Sequence, residues 1–176
     1  MTYMKWRYSD RLEYRPLQLT DTIHWKQFLA NETSTKYFPE LDLSPQQRAE
    51  LWIESQLERY QKGTYGMYAI IHKENRSFMG QCGLLTQEIN GKEETEVGYH
   101  LIEEFTGRGY ATEAAQHMMR YGFEVLKKSS IISIIHKDNA LSQQVAIRND
   151  MRADYETEWK ELPVIVFRLT NPLDNY

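Results

Sequence analysis

Between Leu43 and Gly63 the chain places Ala49, Trp52, Ile53, Gln56, Leu57 and Tyr60 at intervals of three and four, the spacing of one helical face. Ser44 stands at the N-cap of this predicted helix, Pro45 fits its first position, Gln47 completes a capping box and Gly63 supplies a stop. A second face comprises Ala111, Ala114, Ala115, Met118, Gly122, Val125 and Leu126. Thr20 or Asp21 would cap an earlier helix running to about Leu29, and "NALSQQVAIRN" reads as a short one. Strands are expected at "LEYRPLQ" (Leu12 to Gln18), then at "YGMYAIIH" and "FMGQCGLL", which flank the polar turn "KENRS". Asn90-Gly91 is a strong two-residue hairpin signal and leads into "EETEVGYHLI", so these last three strands read as an antiparallel meander. "SSIISIIH" is a short unbroken apolar run, the mark of a strand buried on both faces, and "ADYETEW" and "VIVFRLT" form a closing pair. The order is mixed α+β. A unit with a strand to Ile102, a helix to Leu126 and a strand at Ile131 would run right-handed if its strands are parallel. No linker or repeat interrupts the chain, so residues 1–176 read as one domain.

Composition narrows the function classes. A formal net charge of −4 argues against a nucleic-acid binder that relies on a broad basic surface. The one cysteine, Cys82, allows no internal disulfide, and a reducing, cytoplasmic location is expected. The N-terminal stretch is charged throughout and lacks an apolar signal core, and no apolar run is long enough to span a bilayer, so no membrane association is expected.

The candidate chemistry lies in "EFTGRGYATEAA", Glu104 to Ala115. A strand pattern ends, Gly107 and Gly109 follow one residue apart, and a helix begins. Helix N-termini carry unpaired N–H groups and partial positive charge, and glycine lets a large anion approach the backbone, a combination that suits phosphate or diphosphate. The stretch lacks the Lys-Ser/Thr pair of a P-loop, and the third glycine of a dinucleotide fingerprint falls on Thr112. By spacing alone, a phosphate site and a plain tight turn both fit.

The wider pattern resembles the GNAT acetyltransferases, and within them the branch of the ribosomal-protein N-terminal acetyltransferases. Members read E-[IV]-G-Y, then G-[KR]-G-Y-A-T-E-A, then N-x-x-S. Here these are Glu96-Val97-Gly98-Tyr99, Gly107 to Ala114, and Asn139 with Ser142. "LEYRPL" and "YFPE" (Tyr37 to Glu40) also look like that branch, so the resemblance covers nearly the whole chain. It implies the GNAT fold, a mostly antiparallel sheet with flanking helices and splayed middle strands, and acetyl-CoA as co-substrate. The R/Q-x-x-G-x-G/A motif maps onto Thr106, Gly109 and Ala111. The backbone from Gly107 through Arg108, Gly109, Tyr110 and Ala111 to Thr112 would hold the diphosphate, with help from the Thr112 hydroxyl and the Arg108 charge. Arg108 also reads as a solvated loop residue. Pantetheine would pair with the strand at His100, Leu101 and Ile102, and the Leu101 N–H would serve the oxyanion. Two positions depart from the family pattern. Thr106 stands where Arg, Gln or Trp is usual, which implies weaker CoA affinity. Asp150 replaces a glycine just past a helix end, where φ > 0 would cost about 1 kcal/mol.

Acetyl transfer to an amine needs proton removal from the amine, oxyanion stabilisation and protonation of the departing thiolate. The resemblance offers Glu96 as base, with a strand-pinning hydrogen bond as its other reading. Glu94 and His100 share its strand parity. Ser142 is the candidate acid, or a residue bonded at a helix start. Asn139 would hold the pantetheine arm, or cap the helix. Glu113 reads as structural, stabilised by the helix N-terminus, and Cys82 as a buried inert thiol. The five histidines, 24, 72, 100, 117 and 136, lack metal-ligand spacing, so no metal is expected. Trp25, Tyr37 and Phe38 are candidates for lining the acceptor pocket. The expectation is an N-acetyltransferase acting on a primary amine: a protein N-terminus, an amino acid or a small-molecule amine. The acidic balance mildly favours a cationic acceptor. A non-catalytic acyl-CoA-binding module and a pure interaction domain are the alternatives. A monomer and a homodimer built on the last strands both fit the sequence.

Overall fold

The computed structural model describes residues 6–172; the first five residues of the charged N-terminal stretch and residues 173–176 lie outside them. Its elements are β1 (Leu12–Pro16), α1 (Thr22–Ala30), the one-turn α2 (Glu32–Thr35), α3 (Pro45–Gln61), β2 (Met67–His72), β3 (Phe78–Ile89) and β4 (Lys92–Leu101). They continue with α4 (Tyr110–Glu124), β5 (Ser130–His136), α5 (Ala140–Arg148), β6 (Arg152–Trp159) and β7 (Leu162–Thr170). The strands form one sheet in the order β1-β2-β3-β4-β5-β7-β6, antiparallel at every pairing except β4 with β5. The architecture is the mixed, mostly antiparallel α+β fold that the sequence predicts.

Local chemistry accounts for the helix limits. Ser44 Oγ accepts from Gln47 N, Gln47 Oε1 accepts from Ser44 N at 3.0 Å, and Gly63 takes a φ of +67° past the end of α3. The predicted cap of α1 fails. Asp21 occupies the position, but its carboxylate accepts from the Arg15 guanidinium (2.7 and 2.8 Å) and from Gln18 N (2.8 Å), so it closes the 3-10 turn Leu19–Asp21 instead. The structure also ends α4 at Glu124 rather than Leu126, with Lys127 in the left-handed region at φ +55°.

Two apolar layers enclose the sheet. Ala114, Ala115, Met118, Met119 and Phe123 of α4 pack against Val97, Tyr99 and Ile131 on one face. Trp25, Phe28 and Leu29 of α1 and Ala49 and Ile53 of α3 pack against Met67, Ala69 and Ile71 on the other. Each fully buried Leu, Ile, Met, Val or Phe among them contributes about 1.5–3 kcal/mol, and the alanines less. Successive residues of β4 alternate between the layers, so Glu94, Glu96 and His100 face the α1/α3 side while Val97, Tyr99 and Leu101 face α4 and α5.

Candidate active site

Past β4 the 3-10 turn Glu103–Phe105 ends at Thr106, whose N and Oγ both donate to the Glu103 carbonyl (3.0 and 2.8 Å). Gly107 and Gly109 then adopt φ of +73° and +81°, which glycine enters without a Cβ clash. Gly109 is the N-cap of α4, and no side chain caps the helix. The N–H groups from Gly107 through Thr112 therefore have no acceptor among the described residues. A Cβ built on Gly107 would meet nothing within 4 Å, so neighbouring protein atoms do not demand this glycine; the backbone conformation does. Arg108 is exposed, and its side chain makes no hydrogen bond among the described residues. The Tyr110 hydroxyl pairs with His72 Nε2 at 3.2 Å, Ala111 packs on the core, and the Thr112 carbonyl accepts from Asn149 Nδ2 at 3.3 Å.

Beside this turn the sheet opens. β4 and β5 share a single register pair, Glu96 with Ile132. Ile102 N donates to Met79 O (2.9 Å), so the antiparallel alternation turns the peptide groups of His100 and Ile102 toward β3 and those of Tyr99 and Leu101 toward β5. Of the three residues expected to meet pantetheine, Leu101 alone presents its N–H to the gap.

Glu96 is 8% exposed, and its carboxylate accepts from Gln87 Nε2 at 2.8 Å. Burial raises its pKa to about 7 despite this bond. Glu94 is engaged in an ion pair with Arg168 (2.9 Å). His100 lies among the rings of Trp25, Phe28, Phe38 and Trp52, and burial lowers its pKa to about 4. On the opposite face, Asn139 Oδ1 caps α5 by accepting from Ser142 N at 3.1 Å, the reading held as its alternative. Sequence reasoning missed the tie from Tyr99, whose hydroxyl donates to the Ser142 carbonyl at 2.9 Å and lies beside the Ser133 and Ser142 side chains. Its only sequence signal is its place in E-V-G-Y.

The profile of the Acetyltransferase (GNAT) domain matches residues 11–152. The chain belongs to the GNAT acetyltransferase family. An uncharacterised N-acetyltransferase of Bacillus licheniformis, p20, is 30% identical over 140 residues, covering 79% of this chain and 78% of that protein. The solved acetyltransferase from Agrobacterium tumefaciens superposes with a TM-score of 0.76 at 25% identity, covering 92% of each chain. The fold is also that of RimL, a ribosomal L7/L12 α-N-protein acetyltransferase solved with coenzyme A (TM-score 0.74, 20% identity, 92% of this chain and 95% of that one). The protein is thus an acetyl-CoA-dependent acetyltransferase.

In this acetyltransferase the three aromatic candidates for the acceptor pocket separate. Trp25 is fully buried and stacks on Phe28 at 4.2 Å, so it is core. Phe38 meets the His100 ring edge-on at 5.2 Å. Tyr37 stacks on His136 and donates to the Asp138 carbonyl at 2.8 Å, joining α2 to the start of α5. Cys82 is buried, and desolvation pushes its thiol pKa up, which disfavours the nucleophilic thiolate. Glu113 binds Arg11 and Ser9.

Proposed function

We propose that the enzyme transfers the acetyl group of acetyl-CoA to a primary amine by direct attack, without an acyl-enzyme. One observation carries this reading: the acceptor-free amides of Gly107 to Thr112 open beside the parted strands β4 and β5. These amides would hold the diphosphate, with the Thr112 hydroxyl and the exposed Arg108 adding to them. The backbone edge of β4 at Tyr99 and Leu101 would take the pantetheine arm, and Asn139 Nδ2, which has no partner among the described residues, could assist. The Leu101 N–H, turned toward the gap between β4 and β5, would serve the oxyanion.

Glu96 and Ser142 stand on opposite sides of the opening, which suits their proposed roles. Glu96, with a pKa of about 7, would take the proton from the amine entering on the α1/α3 side. As the N–C bond forms and the C–S bond breaks, the Ser142 hydroxyl beside Tyr99 would pass a proton to the departing thiolate on the α5 side and regain one from solvent, while Glu96 returns its proton to solvent. His100, kept neutral, adds no cationic charge where the amine arrives.

Thiol release from acetyl-CoA with a panel of amines tests the assignment. Glu96→Gln should lower kcat/KM by about 100-fold and remove the fall in wild-type rate below pH 7, whereas Ser142→Ala should lower it by about 10-fold. Full activity in Glu96→Gln would remove the base from this account.

A further inference from the structure

Glu113 lies in the first turn of α4, where its charge would normally face the helix amides. Here it is drawn to the segment just before β1 instead. Oε1 accepts from Ser9 Oγ (2.7 Å) and Arg11 N (2.8 Å), and Oε2 accepts from Arg11 Nε (2.7 Å). The same guanidinium donates through Nη1 to the Arg108 carbonyl at 3.1 Å and lies over the Tyr110 ring at 4.2 Å. Arg11 therefore contacts Arg108, Tyr110 and Glu113, spanning the glycine turn and the first turn of its helix. It is also the cation paired with the one carboxylate in that first turn.

We propose that Arg11 is a positioning residue for the diphosphate. It neutralises Glu113 and holds that carboxylate away from the Gly107–Thr112 amides, so that they stay open to an anion. This rests on the reading that CoA binds there. Without Arg11, Glu113 becomes an uncompensated negative charge beside the diphosphate and a competitor for the same donors. Arg11 then matters because Glu113 is present, which separates this role from direct contact with phosphate and from generic support of the fold.

Calorimetry with CoA on wild type, Arg11→Gln, Glu113→Gln and the double variant tests the proposal, with thermal melts as control. Arg11→Gln should weaken binding about 10-fold, Glu113→Gln should leave it within about 2-fold, and the double variant should recover to within about 3-fold of wild type. Unchanged affinity in Arg11→Gln, or a double variant as weak as Arg11→Gln, overturns the proposal. If Arg11→Gln does not fold, Glu113→Gln is compared with the double variant: equal affinity supports the proposal, and a loss contradicts it. Failure of the wild type to bind CoA would instead defeat the functional reading beneath it.

Discussion

Asp150 follows the C-cap of α5 with φ at +60°, while its N–H donates to Ile147 O and the next N–H, of Met151, reaches back to Ala146 O. This is the closing geometry of a helix that favours glycine, and an aspartate there bears the Cβ penalty. The family's usual glycine at this place has a physical cause, and the sequence departure reads as strain without loss of geometry. Asp150→Gly should raise stability by about 1 kcal/mol, seen as a higher urea midpoint with an unchanged m-value. An unchanged or lower midpoint would show that the aspartate side chain compensates. Thr106 departs from the pattern differently. Its N–H and hydroxyl both close the preceding 3-10 turn onto the Glu103 carbonyl, so the residue shapes the approach to the glycines.

At the scale of elements, hairpins show what was legible. Asn90 and Gly91 take φ of +51° and +72°, as that dipeptide signals. The turn between β6 and β7 uses the same geometry with Lys160 and Glu161 at +50° and +64°, and neither residue type announces it. Replacing that pair with Asn-Gly should stabilise the protein by about 1 kcal/mol, less whatever is lost from Lys160 Nζ over the Trp159 ring; thermal melts would read the gain, and a lower Tm would contradict it. The strands, the long helices and the glycine turn were readable because their signals are local: alternation, three-and-four spacing, caps. The ties that finish the site join residues far apart in the chain, Tyr99 to Ser142 and Arg11 to Glu113, and no local pattern encodes such a partner. Asp21 is a nearer case: Arg15, six residues before it, withdraws it from the helix it would otherwise cap.

At the scale of the whole molecule, a chain of net charge −4 would, on the proposed reading, take its anion through backbone dipoles at one helix start, so local geometry would outweigh the total. β4 carries two groups, the buried Glu96 and His100 among its aromatic neighbours, whose pKa values move in opposite directions. Glu96, raised from 4.5 to about 7, contributes stability that is full below pH 4.5 and lost as pH rises through 7. His100, lowered from 6.5 to about 4, contributes stability present above pH 6.5 and lost as pH falls toward 4. Between these limits their slopes oppose each other. Glu96→Gln should therefore gain on wild type by up to about 3 kcal/mol between pH 5 and pH 8 in urea unfolding, and an equal offset at both pH values would refute the buried, proton-holding carboxyl. The central claim, that amides at the start of α4 bind the CoA diphosphate, is met most directly by calorimetry on Gly109→Val. A valine at φ +81° is strained by about 1–2 kcal/mol, its Cβ would lie about 3.5 Å from Arg11 Nη2, and it adds bulk at the N-cap where the diphosphate would approach. The account predicts a folded variant whose CoA affinity falls at least about 10-fold. A folded Gly109→Val that binds CoA as wild type does would contradict it.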